Sequence, residues 1–244
     1  IAVVGTMAGA AQAQLIDDFS GGLGAYTLTR ILDNGIAEAN VSFSAASGAL
    51  VASYGGTLSQ AEQVVFLRND YSLSVGSRLT VDAAFPTQTS QMDFGIAVGA
   101  TATPTGAAVG STDVRGGFNW AAVYIRPSQD AVRSTSAING TVTTGSGILT
   151  AVETSVSKLF IERTSLTSFN LGYVDTSAVD HISQTVNFTA TDVGTAIGFY
   201  ADLRAPGGTL GSLDNLAVPE PSSFALAGLG FAAFGLFRRQ RNSK

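Results

Sequence analysis

Apolar and polar residues alternate with a period of two in one short stretch of this chain after another, the spacing that sets one face of a strand on a core and the other in water. Such stretches, dense in β-branched and aromatic residues, predict strands at residues 15–19, 26–32, 49–53, 63–68, 78–85, 94–98 and 119–126. Further strands are predicted at 131–136, 158–163, 168–174, 184–188, 196–202 and 212–218. Gly, Asn, Asp and Ser separate them, with turn signals at Asp33-Asn34-Gly35, Asn69-Asp70, Asn139-Gly140 and Pro206-Gly207-Gly208. Between residues 14 and 217 no stretch has a convincing amphipathic helical period. Strands at this density without helices predict two stacked antiparallel sheets, a β-sandwich or jelly roll joined largely by hairpins. A β-solenoid would need a fixed repeat, and none is present. Residues 101–117, rich in Gly, Ala and Thr, are predicted as a long surface loop.

Both ends depart from this pattern. An uncharged run at 223–237 follows Pro219-Glu220-Pro221 and precedes Arg238, Arg239 and Arg241. A helix over 222–237 would span about 24 Å against a hydrocarbon core of about 30 Å. The two prolines keep the helix from starting earlier. Basic residues flanking an apolar span stay on the cytoplasmic side, so everything before Pro219 is expected across the membrane. Breaker, apolar helix and basic end together resemble the PEP-CTERM sorting signal of exported bacterial proteins. In that family an exosortase recognises the Pro-Glu-Pro motif, here Pro219, Glu220 and Pro221, and removes the helix and basic tail. The resemblance implies transient anchoring in the inner membrane of a Gram-negative bacterium, then an envelope, surface or biofilm-matrix location. At the other end, residues 1–13 carry no charge and finish in Ala11-Gln12-Ala13, the small-x-small pattern that signal peptidase accepts. Without an initiator Met or a basic leader, the chain is expected to begin inside its signal peptide. The predicted organisation is a signal-peptide remnant at 1–13, a sandwich at 14–217 and a sorting signal at 218–244.

The middle segment, about 200 residues, suffices for one domain with a substantial core. With no Cys in the chain, no disulfide supports that fold, and thiolate zinc sites and cysteine nucleophiles are excluded. Of 13 Lys and Arg, four lie after residue 217 (Arg238, Arg239, Arg241, Lys244); of 18 Asp and Glu, only Glu220 does. Residues 1–217 therefore hold 9 basic and 17 acidic groups, a net charge of −8. Such a surface repels phosphate backbones, which argues against nucleic-acid binding and favours divalent cations or neutral glycans.

The domain also resembles the concanavalin A-like lectin/glucanase superfamily, in its laminin G-like or generic sugar-binding jelly-roll branches. The residues that carry this are Ile16-Asp17-Asp18-Phe19-Ser20, Val123-Tyr124-Ile125-Arg126, Lys158-Leu159-Phe160-Ile161-Glu162-Arg163, Phe169-Asn170-Leu171-Gly172-Tyr173, Ile197-Gly198-Phe199-Tyr200 and Leu213-Asp214-Asn215-Leu216-Ala217-Val218. A glucanase on this fold sets two carboxylates about 5–5.5 Å apart on one sheet face when it retains configuration. The family's signature of two Glu bracketing an Asp within one strand is missing, because no two of Glu38, Glu62, Glu153, Glu162 and Glu220 lie within five positions. Glu153 and Glu162 would have to meet across a hairpin. His181, the sole histidine, has Asp180 as its direct neighbour, which cannot orient its ring in a Ser-His-Asp triad; a solvated turn is expected for it. No catalytic residue is therefore assigned.

The resemblance implies one Ca²⁺ on the convex side, held by an Asp of the final strand. Here that is Asp214, with Asp17 or Asp18 nearby if the terminal strands pair. Glycan recognition would use aromatic and hydrogen-bonding side chains on a concave face, for which Asn119, Trp120, Tyr124 and Arg126 are the candidates. Trp120 and Tyr124 share a strand face by parity, and Trp120 fits the core equally well. These readings describe an exported, non-catalytic β-sandwich with an adhesive, glycan-associated or structural role. The alternatives are a polysaccharide hydrolase or lyase with an atypical site, and a self-associating matrix or surface subunit. Exosortase, signal peptidase, polysaccharide and, before processing, the membrane are the expected partners.

Overall fold

The alternating stretches form fifteen strands in the computed structural model, which describes residues 13–33, 40–55, 62–87, 92–100, 114–188, 196–204 and 211–219. In chain order these are β1 (Ala13–Asp17), β2 (Thr27–Asp33), β3 (Val41–Ala46), β4 (Ala49–Tyr54), β5 (Glu62–Arg68), β6 (Arg78–Ala84), β7 (Met92–Gly99) and β8 (Trp120–Arg126). They continue as β9 (Ala131–Ile138), β10 (Thr141–Thr150), β11 (Val156–Arg163), β12 (Ser168–Asp175), β13 (Asp180–Asn187), β14 (Ala196–Leu203) and β15 (Ser212–Pro219). Two of them, β3 and β10, were not predicted. Among the described residues the only helical pieces are three 3-10 turns, at Arg115–Gly117, Pro127–Gln129 and Glu153–Ser155.

The strands build two antiparallel sheets. One runs β13-β12-β11-β6-β15-β4-β3 with β1 added on β15; the other runs β10-β9-β8-β7-β14-β5-β2. Inward positions of both sheets meet in one core, where Phe66, Phe94 and Phe199 face Leu79, Leu159 and Leu171. Burial of such side chains stabilises by roughly 1.5–3 kcal/mol each, and without disulfides this core carries the fold.

The terminal strands pair. Along one edge β15 bonds β4 at Ser212 and Leu213, and then β1 from Leu216 to Pro219. The switch coincides with Asn215 at φ 53°, where the pairing of β15 with β6 also shifts register. Among the described residues this sheet runs from Ala13 to Pro219, whose backbones are cross-strand partners. Asn139-Gly140 makes the predicted hairpin turn between β9 and β10. Of the other turn signals, Asp33-Asn34-Gly35 and Pro206-Gly207-Gly208 fall in or adjoin segments outside the described residues, as does most of the 101–117 loop.

Candidate functional site

The outward face of the seven-stranded sheet is hollow because its central strand has little to put there. Strand parity sends Asp93, Gly95, Ala97 and Gly99 of β7 to that face while Phe94, Ile96 and Val98 enter the core. The flanking strands carry large groups: Tyr200 and Asp202 on β14, and Trp120, Tyr124 and Arg126 on β8. At Gly95, opposite both Tyr200 and Tyr124, an added Cβ would lie 2.0 Å from the Val123 carbonyl oxygen and 2.8 Å from the Tyr124 Cβ. The missing side chain lets the two tyrosine rings meet across β7, their centroids 5.1 Å apart. Trp120 stacks on Tyr200 from the other side at 5.7 Å.

Beside this aromatic floor lies a row of polar groups. Asp202 is the cross-strand partner of both Asp93 and Gln63. Arg126 grips Asp93 with a two-pronged fork, Nε donating to Oδ1 at 2.7 Å and Nη2 to Oδ2. Arg204 does the same for Asp202, Nε to Oδ1 at 3.0 Å and Nη2 to Oδ2 at 2.8 Å, and Gln63 Nε2 donates to the same Oδ2 at 2.9 Å. Arg115 Nη1 reaches the Gln63 Oε1 at 3.4 Å. Both carboxylates are almost wholly buried. Burial above all, with the negative charge of Asp202 adding to it, pushes the Asp93 carboxyl up to about 7 although Arg126 pulls the other way. The Tyr124 and Tyr200 hydroxyls are raised well above their usual range, again chiefly by burial. Over this row opens a cleft of about 460 Å³, bordered on the β9–β10 side by Arg133 and Gly145.

The predicted glycan residues divide. Tyr124 and Arg126 line the cleft. Trp120 shares the Tyr124 face as parity required, but it is fully buried and its Nε1 donates to the Arg115 carbonyl oxygen at 2.9 Å, so it packs as floor. Asn119 turns away, its Oδ1 accepting the Asn139 amide at 2.7 Å. Sequence reasoning passed over Gln63, Asp93, Arg133, Asp202 and Arg204. A signal for two of them was present: Asp93 and Asp202 are acidic residues inside runs otherwise fit for full burial, MDFGIAVG and AIGFYADL.

Other candidates lie elsewhere. Glu153 is buried in the turn before β11, and Glu162 pairs with Arg78 near the far end of that strand, so the two do not form an acid–nucleophile pair. His181 is not in a turn. It lies on β13, stacked on Tyr173 at 4.6 Å, with Nε2 3.0 Å from Asp175 Oδ2. Asp17 spends its carboxylate on the Phe19 amide, the Tyr26 hydroxyl and Arg68, while Asp18 binds Ser20. Asp214 accepts the Asn215 amide and stands opposite Asp82. Among the described residues no three acidic or histidine side chains gather as a metal site. Glu220, Pro221, Arg238, Arg239 and Arg241, with the apolar helix expected over 222–237, lie outside the described residues. Among the described residues no helix is long and apolar enough to cross a membrane.

Comparison with known proteins bears on the two ends of this picture separately. Residues 217–240 match the PEP-CTERM protein-sorting motif. The motif indicates export to the surface or envelope with exosortase processing, and it overlaps the end of β15. The sandwich has a jelly-roll fold that it shares with several solved structures. It superimposes on a β-glucanase of Bacillus licheniformis with a TM-score of 0.51 and 11% identity, over 86% of this chain and 97% of that one. A protein with a galectin-like fold from Bacillus subtilis gives 0.50 and 11%, over 86% and 98%. An endo-β-galactosidase from Clostridium perfringens that releases GlcNAcα1-4Gal gives 0.50 and 10%, over 90% of this chain but only 65% of that one. Identities this low establish the fold and leave the chemistry to the residues. Among curated proteins none matches the sequence.

Proposed function

We propose that the chain is an exported, non-catalytic glycan-binding protein of the envelope or extracellular matrix, whose ligand occupies the cleft on the outer face of the seven-stranded sheet. One observation carries this reading. Asp93 and Asp202 are the only carboxylates of the described residues that meet directly on that hollow face, and each has both oxygens engaged by an arginine fork. Carboxylates so held are committed to their arginines, and the forks, Gln63 and the Tyr124 hydroxyl form a rigid hydrogen-bonding floor of the kind saccharide hydroxyls require. The likeness to a glucanase and to a galectin-like fold supports a glycan as the class of ligand and leaves the role to these contacts.

In this reading signal peptidase cuts after Ala13, the tail holds the folded domain at the inner membrane of a Gram-negative host, and the exosortase then releases it at Pro219-Glu220-Pro221. A glycan array on the protein, run beside assays for new reducing ends and for unsaturated sugars, tests the binding role. Retention on arrayed polysaccharide without either product is expected. Product that disappears in Asp93→Asn or Asp202→Asn would make the protein a hydrolase or lyase instead.

A further inference from the structure

Arginines concentrate in the cleft although the molecule is acidic. Residues 1–217 carry only 9 basic groups against 17 acidic ones, yet four of the nine, Arg115, Arg126, Arg133 and Arg204, line this one cleft. Against them, the described residues bring Asp93 and Asp202. Nor are the four alike. Arg126 and Arg204 are committed to carboxylates, whereas Arg133 has no carboxylate partner among the described residues: its Nη2 donates to the Gln129 amide oxygen and its buried Nε meets no acceptor. Gly145 keeps room beside it. A Cβ there would stand 3.0 Å from Arg133 Nη1 and 4.0 Å from the Tyr124 hydroxyl, and φ of +64° at that position further disfavours any side chain. The aromatic groups, by contrast, offer little face to a sugar, since Trp120, Tyr124 and Tyr200 are at most 2% exposed. A neutral saccharide is gripped by stacking on open rings; a guanidinium without a carboxylate selects a planar or tetrahedral oxyanion.

We propose that the cleft selects an acidic saccharide, one carrying a carboxylate or a sulfate, with that anion seated between Arg133 Nη1, the Tyr124 hydroxyl and the Gly145 backbone. The proposal rests on the glycan-binding reading and narrows it to a ligand class. Inside the cleft the surrounding protein reduces solvent screening, so the local field outweighs the distant acidic surface.

The test uses the 244-residue chain in mild detergent and the fluorescence of Trp120, the single tryptophan, which lies on the floor of the site. The probes are an oligogalacturonate, the same oligosaccharide after carboxyl reduction, and a sulfated galactan oligosaccharide. The wild type should bind at least one acidic probe about tenfold or more tightly than the neutral one. Arg133→Met should bring that ratio to within about twofold, Arg133→Lys should keep part of it, and Arg78→Met, on the other sheet, should leave it unchanged. A matching β circular-dichroism spectrum shows that each variant is folded. Equal affinity for acidic and neutral probes, or a preference that survives in folded Arg133→Met, overturns the proposal while leaving glycan binding in place. Failure of the wild type to bind any of these probes or any arrayed glycan overturns both.

Discussion

Asp93 lies in an environment far from the one its identity implies, fully buried on the floor of the cleft. A carboxylate in water titrates near 3.9, yet this one is pushed up to about 7 by burial and by Asp202. Between those limits the folded protein holds a proton that the unfolded chain has already lost. Folded stability from this group is therefore full below about pH 4 and declines as pH rises through about 7. A melting-temperature profile from pH 5 to pH 8 should fall with that titration, and Asp93→Asn should flatten the fall. Parallel profiles for variant and wild type would show that Arg126 keeps Asp93 ionised throughout. The same residue marks where sequence reading stopped short. Glucanase logic directs attention to paired Glu within one strand, whereas the acidic pair of this fold is formed by Asp residues on β7 and β14, 109 positions apart in sequence and cross-strand partners in space.

At the scale of elements, β7 sets the shape of the site and β15 the integrity of the sheet. Gly95→Ala would drive a methyl group into the Val123 carbonyl and the Tyr124 side chain, so a loss of about 1–3 kcal/mol is expected in urea unfolding. Weaker glycan binding should accompany it as Tyr124 is displaced. Cutting the chain after Leu216 would remove Ala217, Val218 and Pro219, three of the four β15 residues that pair with β1, and with them the buried side chain of Val218. Residues 13–219 should therefore melt cooperatively with a β spectrum, and 13–216 should melt at a clearly lower temperature; identical melts would mean that the clasp between the terminal strands adds nothing. The elements themselves were largely legible in the alternation of residue types. The two strands that escaped have reasons: β3 reads VSFSAA with one buried position, and β10 bends at Gly145 and Gly147, both at positive φ, with register shifts against β9. A strand that buries little, or that is interrupted by bulges, loses the period that reveals it.

Across the whole molecule, net charge and local charge part company. The composition points to neutral glycans or divalent cations, and the net charge of −8 over residues 1–217 behind that expectation is a property any arrangement of the chain keeps. Where the positive charges collect is a different matter: Arg115, Arg126, Arg133 and Arg204 are spread over 90 positions and converge only because β8, β9 and β14 lie in one sheet. Sequence alone determined the all-β class and the sorting motif at the carboxyl end, for both are written in neighbouring residues: a period of two in the strands, and breaker, apolar run and basic end in the motif. Tertiary structure decided which carboxylates pair, that Trp120 lies buried in the floor of the cleft, and that an acidic protein gathers four of its arginines there. Those facts depend on strand order and register, which long-range pairing fixes and local spacing does not encode.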